Sequence, residues 1–410
     1  MELKPKYQYT YFIKPFYIEE EKYDSYLTNI LKNERFSLKI WEQEKDLDIY
    51  SYFLPEIRDK IFATFQYSKE KIAKLQNMEA SMAAMLVSKQ PCVHFTYLLE
   101  EDTPGKIGEE NGIFFGIRNI ELMCFNTGIC FLLIKTYIED LKNFSEVLNF
   151  NYKFNDLGSK YANLKEYEKI NIQTNAFHTN QELSAFLKKI TGLSEKNQEL
   201  EDKFYVYAYT CLDGESWNDK VKFDDIKTEF YKYREVLPSS YNVDWSKQEN
   251  NQTIDKWEYA RFGFSKNASV LLTSSLNSYH YTKLPFEYEN KYLYTFLLAL
   301  YERLYLKKLT REFKINKKIQ KTRKNFQNFM KELWSQEITE EEMGSLFYNK
   351  LRECFELDNL YLETLNTYDL AYQEENKNKT KRNNYFLWGT IIICMLLNIA
   401  NLIVLLTLPK

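Results

Sequence analysis

Residues 385–408 read YFLWGTIIICMLLNIANLIVLLTL, a run without a single charged side chain. A helix rises about 1.5 Å per residue, so roughly 20 apolar residues cross a hydrocarbon core of about 30 Å. The run predicts one membrane-spanning helix over 385–408. Lys377, Lys379, Lys381 and Arg382 precede it, and only Pro409 and Lys410 follow. By the positive-inside rule this basic cluster is a juxtamembrane linker, 377–384, on the cytosolic side of a cell membrane, and everything upstream is expected in the cytosol. The N-terminal MELKPKYQYTYF lacks the apolar core of a signal peptide, so the C-terminal run must direct the chain to the membrane.

The same run carries polar residues on one side. Thr390, Cys394, Asn398 and Asn401 recur at helical spacing and form a narrow stripe. In lipid, an amide with neither water nor a hydrogen-bond partner is costly, so the stripe should face other helices or a wet pore. Contacts of this kind stabilise by roughly 0.6 kcal/mol each, which leaves packing and pore lining both open. Either reading calls for several copies, because one helix encloses nothing. Membrane lipid and further copies of this chain are therefore the expected partners.

Upstream, 33 Tyr and 29 Phe stand against 11 Gly and 8 Pro in 410 residues. Long elements with little turn punctuation are expected, although an A/T-rich coding sequence would give a similar bias. A net charge of −3 argues against direct nucleic-acid binding by the chain as a whole. The six cysteines show no Cys-x-x-Cys spacing and most lie in apolar runs, which suits reduced thiols and points to neither disulfides nor a metal.

Periodicity predicts an α+β fold. Tyr7, Tyr9, Tyr11 and Ile13 alternate as in a half-buried strand. Helices are expected over 19–32 and within 54–87, with a strand at 92–99. A hairpin of two long strands spans 112–139 and turns at Asn126-Thr127-Gly128. Glu139 and Asp140 should open a helix through Leu148, and Asn180 with Glu182 should cap another through Ile190. A strand at 203–210 and a hairpin over 257–273 complete a mixed α/β domain, 1–285, as one unit or as two divided near 155–200.

Residues 286–376 read as a helical stalk. No Gly or Pro interrupts 292–333, which predicts one helix of some 40 residues, about 60 Å long. Thr339-Glu340-Glu341-Glu342 has the form of a capping box, opening a second helix to about Gln373. Residues 303–331 contain eleven Lys or Arg and one acid, whereas 332–375 contain twelve acids and two bases. Two such helices invite an antiparallel hairpin, a basic helix facing anionic lipid or nucleic acid being the alternative.

Catalytic chemistry has few candidates. The chain has no P-loop, dinucleotide glycine fingerprint, Gly-x-Ser-x-Gly or His-Glu-x-x-His, which points away from an enzyme. His94, His178 and His280 stand far apart and suit structural roles. Asp213-Gly214-Glu215 is short of the oxygen ligands a cation needs. Arg261, Lys266 and Asn267 flank a hairpin and could hold an anionic ligand, with a plain hairpin surface as the alternative. No cofactor is indicated.

The order of parts resembles the CorA family of divalent-cation transporters: a cytosolic α/β domain, a long descending helix and a C-terminal membrane segment. The resemblance is strongest from Tyr292 onward, with weaker echoes in GICFLLIKTYI and FGFSKNASVLL. It implies a ring of subunits and ion transport through a channel. The family's Gly-Met-Asn signature is missing, its neighbourhood here reading LNIANLIV, and so is a second membrane helix. The soluble part is also similar in style to CorA-like proteins found beside type III CRISPR systems. That likeness implies an antiviral membrane effector gated by a small nucleotide-type ligand; a single-pass scaffold without transport is the alternative.

Overall fold

The computed structural model describes residues 2–99, 103–107, 112–156, 170–174, 179–192, 203–245, 252–315 and 319–407. By contact it divides into two compact units. The first runs through Leu304 and adds Glu332–Leu357; the second comprises Tyr305–Lys331 and the chain from Asp358 onward.

The first unit is built on one mixed sheet. Among the described residues its strands are β1 (Pro5–Tyr17), β2 (Phe36–Leu38), β3 (Cys92–Tyr97), β4 (Thr103–Ile107), β5 (Ile113–Phe125), β6 (Ile129–Ile138), β7 (Ile170–Thr174), β8 (Thr179–Glu182), β9 (Tyr205–Leu212), β10 (Thr253–Trp257), β11 (Ala260–Phe264) and β12 (Ala268–Ser274). They lie in the order β10-β11-β12-β9-β1-β6-β5-β4-β7-β8. Strand β5 is long enough to pair with β4 over its first half and with β3 over its second, and β2 extends β3. Only β12 and β9 pair in parallel; the other pairs are antiparallel.

Both faces of the central strands are covered, which explains why β9 and β12 are buried at every position. One face is apolar. Phe12, Ile134, Val206 and Val270 pack there with residues of α1 (Tyr23–Lys32), α5 (Ala80–Val87), α6 (Phe144–Asp156) and α8 (Phe223–Arg234). Between α1 and α5 come α2 (Leu47–Tyr52), α3 (Pro55–Ile61) and α4 (Lys69–Gln76), and α7 (Leu183–Thr191) precedes β9. The other face carries the tyrosines that alternation places there. Tyr9 donates to Pro285 O at 2.8 Å, Tyr209 to His280 O at 2.9 Å, and Tyr207 stacks on Tyr288 with ring centroids 4.2 Å apart. These partners lie in α9 (Ser278–Thr282), α10 (Leu284–Glu287) and a single π-helical turn, Tyr288–Tyr292, that leads into α11 (Leu293–Ile315).

Local expectations shift in several places. Asp140 takes a positive φ of 46°, so the helix expected from Glu139 begins only at Phe144, where Asn143 Oδ1 accepts from Glu146 N at 3.1 Å, and it continues to Asp156. Instead of one or two helices, 54–87 folds into α3, a 3-10 turn, α4 and α5. Helix α7 follows Glu182 with no side-chain capping bond.

The stalk departs more. The 40-residue helix is two, α11 and α12 (Ile319–Glu332), separated by 316–318, which lie outside the described residues. The second expected helix is also two, α13 (Glu342–Phe355) and α14 (Leu357–Thr407), parted at Glu356 with φ 56°. The capping box does not form: Thr339 Oγ1 accepts from Glu341 N at 3.2 Å, and α13 opens after Glu341. Its helix packs in the first unit, where Phe347 meets Phe262, Phe264 and Tyr292.

Candidate functional site

Within the second unit, three helical segments pack together rather than two. Tyr305 meets Phe329 and Phe313 meets Phe326, so α12 runs antiparallel to the end of α11. Phe326 also meets Tyr361 and Tyr368, while Gln320 donates to Glu375 at 3.0 Å, making α12 antiparallel to α14. Thr310 bonds Thr364 at 2.7 Å and Phe313 lies against Tyr368, so α11 and α14 are parallel. Opposite charge is used in this packing, as in Lys314 to Glu363 at 2.8 Å. The antiparallel basic-acidic pair expected from sequence is thus made by α12, and α11 adds a second basic arm.

Helix α14 then continues without interruption through the basic cluster and the apolar run, 51 residues or about 77 Å. Residues 377–384 are therefore part of the helix and not a linker. The apolar window is long enough to cross a membrane, and none of it is buried within the chain. Along the stripe, the Thr390 hydroxyl donates to Leu387 O at 2.8 Å and is satisfied inside its own helix. Cys394 and Asn398 are exposed. The side chain of Asn401 lies outside the described residues, although its backbone is helical. Lys377, Lys381 and Arg382 are exposed, and Lys379 pairs with Glu375 at 2.7 Å.

The hairpin candidates are held by separate partners. Arg261 donates to Trp257 O and to Ala260 O and lies over the Phe223 ring; burial lowers its pKa. Lys266 pairs with Glu356 at 2.6 Å, its carbonyl accepts from Arg303, and the Asn267 carbonyl accepts from Val206 N. Asp213-Gly214-Glu215 forms a turn tied to Lys4 O and Ser275 Oγ. No three His, Cys, Asp or Glu side chains gather in a metal-binding group among the described residues.

A polar network absent from the sequence reading lies on the tyrosine face. Lys39 donates to Glu121 at 2.9 Å and to Tyr294 OH at 3.0 Å, over the Trp41 ring. Burial works against the Lys39 ammonium, but Tyr294 and Glu121 more than offset it and raise its pKa. Beside it, Glu289 of the π turn takes Lys135 and the Tyr11 hydroxyl. π turns recur at functional sites, but here every named charge is already paired inside the fold. The network fixes the start of α11 to β1 and β6. The signal available in sequence was charge within apolar strands, Glu121 beside Arg118 in β5 and Lys135 alone in β6.

His94 and His280 are buried, and His178 lies outside the described residues. His94 Nε2 is 3.0 Å from Ile61 O, so the neutral ring donates there. Burial first, and then the Lys39 charge, holds its pKa down to about 3. An unfolded histidine titrates near 6.5, so as pH falls the unfolded chain takes up this proton first. Stability is intact above about pH 6.5 and drains away towards the folded pKa, by about 1.4 kcal/mol per pH unit. Denaturation at about pH 7 and about pH 5 should therefore show His94→Gln losing about 2 kcal/mol less than wild type; equal losses would exclude His94 as the source.

Comparison of the chain with protein-family models, curated proteins and solved structures finds no match.

Proposed function

We propose that this chain is a membrane-anchored, homo-oligomeric protein without catalytic activity. Its α/β unit faces the cytosol and senses a small ligand, and its C-terminal helices assemble into a gated channel or membrane effector. The CorA-like resemblance extends this reading to ion transport and, through the likeness in style to CRISPR-linked CorA-like proteins, to antiviral defence. The observation that supports it best is α14. One unbroken helix joins a packed bundle to an apolar segment that nothing among the described residues covers. Lipid satisfies the apolar side chains but not the Asn398 amide, which has no partner among the described residues; a second copy supplies one.

Cys394 provides the test. It lies on the stripe and is exposed, whereas the other five cysteines are buried. A disulfide needs Cα atoms about 4.4–6.8 Å apart, so mild oxidation of the protein in membranes should yield a linked dimer if stripe faces stripe. Cys394→Ser should abolish the product. A monomer in detergent, with no linked product in membranes, would refute self-association. Release of a trapped dye from proteoliposomes separates a channel from a tethering scaffold, which would crosslink without leaking.

A further inference from the structure

Lys307, Arg311 and Lys314 recur at i, i+4 and i+7 on α11 and line one cleft of about 450 Å³. Across it lie Leu360 and Glu363 of α14. Among the described residues Glu363 is the one carboxylate lining the cleft, and it is engaged by Lys314. Arg311 is exposed and has no carboxylate partner among the described residues. Three cationic side chains thus line the cleft, beside an apolar strip of Ile315 and Leu360.

We propose that this cleft binds a small phosphate-bearing anion. The planar guanidinium of Arg311 matches phosphate oxygens in pairs, and the flanking ammonium groups add charge along a line. From Lys307 to Lys314 the helix rises about 10 Å, which suits a chain of phosphates better than a single one. Lipid headgroups are the wrong source. Glu363 precedes Tyr385, the first apolar residue, by about six turns of the same helix, roughly 33 Å, too far for the cleft to reach a bilayer surface. A long nucleic acid is disfavoured by the acidic remainder of α14, which would lie along its backbone. A ligand here bridges α11 and α14, so any preference for one arrangement of the pair biases the helix that enters the membrane. Only this consequence rests on the gated-membrane reading; the binding itself does not.

The test is calorimetric titration of the full chain in detergent with inorganic triphosphate. Arg311→Ala should weaken binding at least about tenfold, the loss expected for one charge-assisted bond. Lys324→Ala, which removes an exposed charge of α12 that does not line the cleft, should change it little. Equal weakening by both variants would mean a diffuse basic surface and would overturn the site, as would no binding to wild type. If Arg311→Ala instead leaves triphosphate binding intact but breaks the oligomer, the cleft holds an acidic segment of a second copy and the proposal fails. Cys394 crosslinking is read separately, so failure of the anion site and failure of self-association are distinguishable.

Discussion

A chain ended at Asn384 is expected in the soluble fraction after high-speed centrifugation without detergent, whereas the full chain should pellet and resist alkaline extraction. The effect should be near complete, because some 20 apolar residues in a helix partition into a bilayer effectively irreversibly. Folding should survive the cut. The bundle contacts named above end at Glu375 of α14, before the truncation, and the apolar window contributes nothing to either core. Circular dichroism of the truncated protein should therefore retain the strand signal and lose only helix. Were the full chain itself extractable at alkaline pH, the anchor would be refuted.

Gly128→Ala should be among the most damaging single substitutions in the first unit. Gly128 closes the β5–β6 turn with φ 85°, its amide donating to Phe125 O at 2.9 Å and its carbonyl accepting from Ile18 N at 2.8 Å. A Cβ there would stand 2.0 Å from Ile18 O, a backbone atom that cannot swing aside. Strain of about 1–3 kcal/mol and loss of a hydrogen bond worth about 1 kcal/mol together predict a loss of about 2–4 kcal/mol. Gly192→Ala is the control. That glycine also has a positive φ, 63°, but among the described residues a Cβ would meet nothing within 4 Å, so about 1 kcal/mol is expected from backbone strain alone. Equal midpoints for the two variants in chemical denaturation would show that the Ile18 contact does not matter.

These two positions show how far local pattern reaches. The hairpin at Asn126-Thr127-Gly128 was legible because a tight reversal between two apolar runs leaves few conformations, but the contact with Ile18 comes from a strand end over a hundred residues away. Strands β1, β3, β5, β6, β9, β11 and β12 stood out as alternating or continuous apolar runs. Strands β2, β4, β7, β8 and β10 are three to five residues long and carry too few apolar positions to display a period.

The site divides along the same line. The i, i+4, i+7 spacing of Lys307, Arg311 and Lys314 was visible in a stretch counted only for its net charge. That α12 and α14 leave this face open could not be known until the basic helix was seen to fold back. Likewise Arg261 and Lys266 looked available from their neighbours in sequence, while their carbonyl and carboxylate partners come from the fold.

By itself, the sequence determined the apolar C-terminal helix, its polar stripe, the α+β class of the upstream unit and the opposite charges of the stalk. Each of these depends on composition and period within one segment, where length and burial set the free energy. Only the tertiary structure decided where the long helices break, which basic arm runs antiparallel to α14, and that residues 377–384 stay helical. Those choices depend on packing between distant segments: Phe326 against Tyr361 and Tyr368, Phe347 against Phe262 and Tyr292. No Gly or Pro marks a stop over 292–333, and Gly344 lies inside α13 rather than at a break, so contacts of this kind settle the breaks.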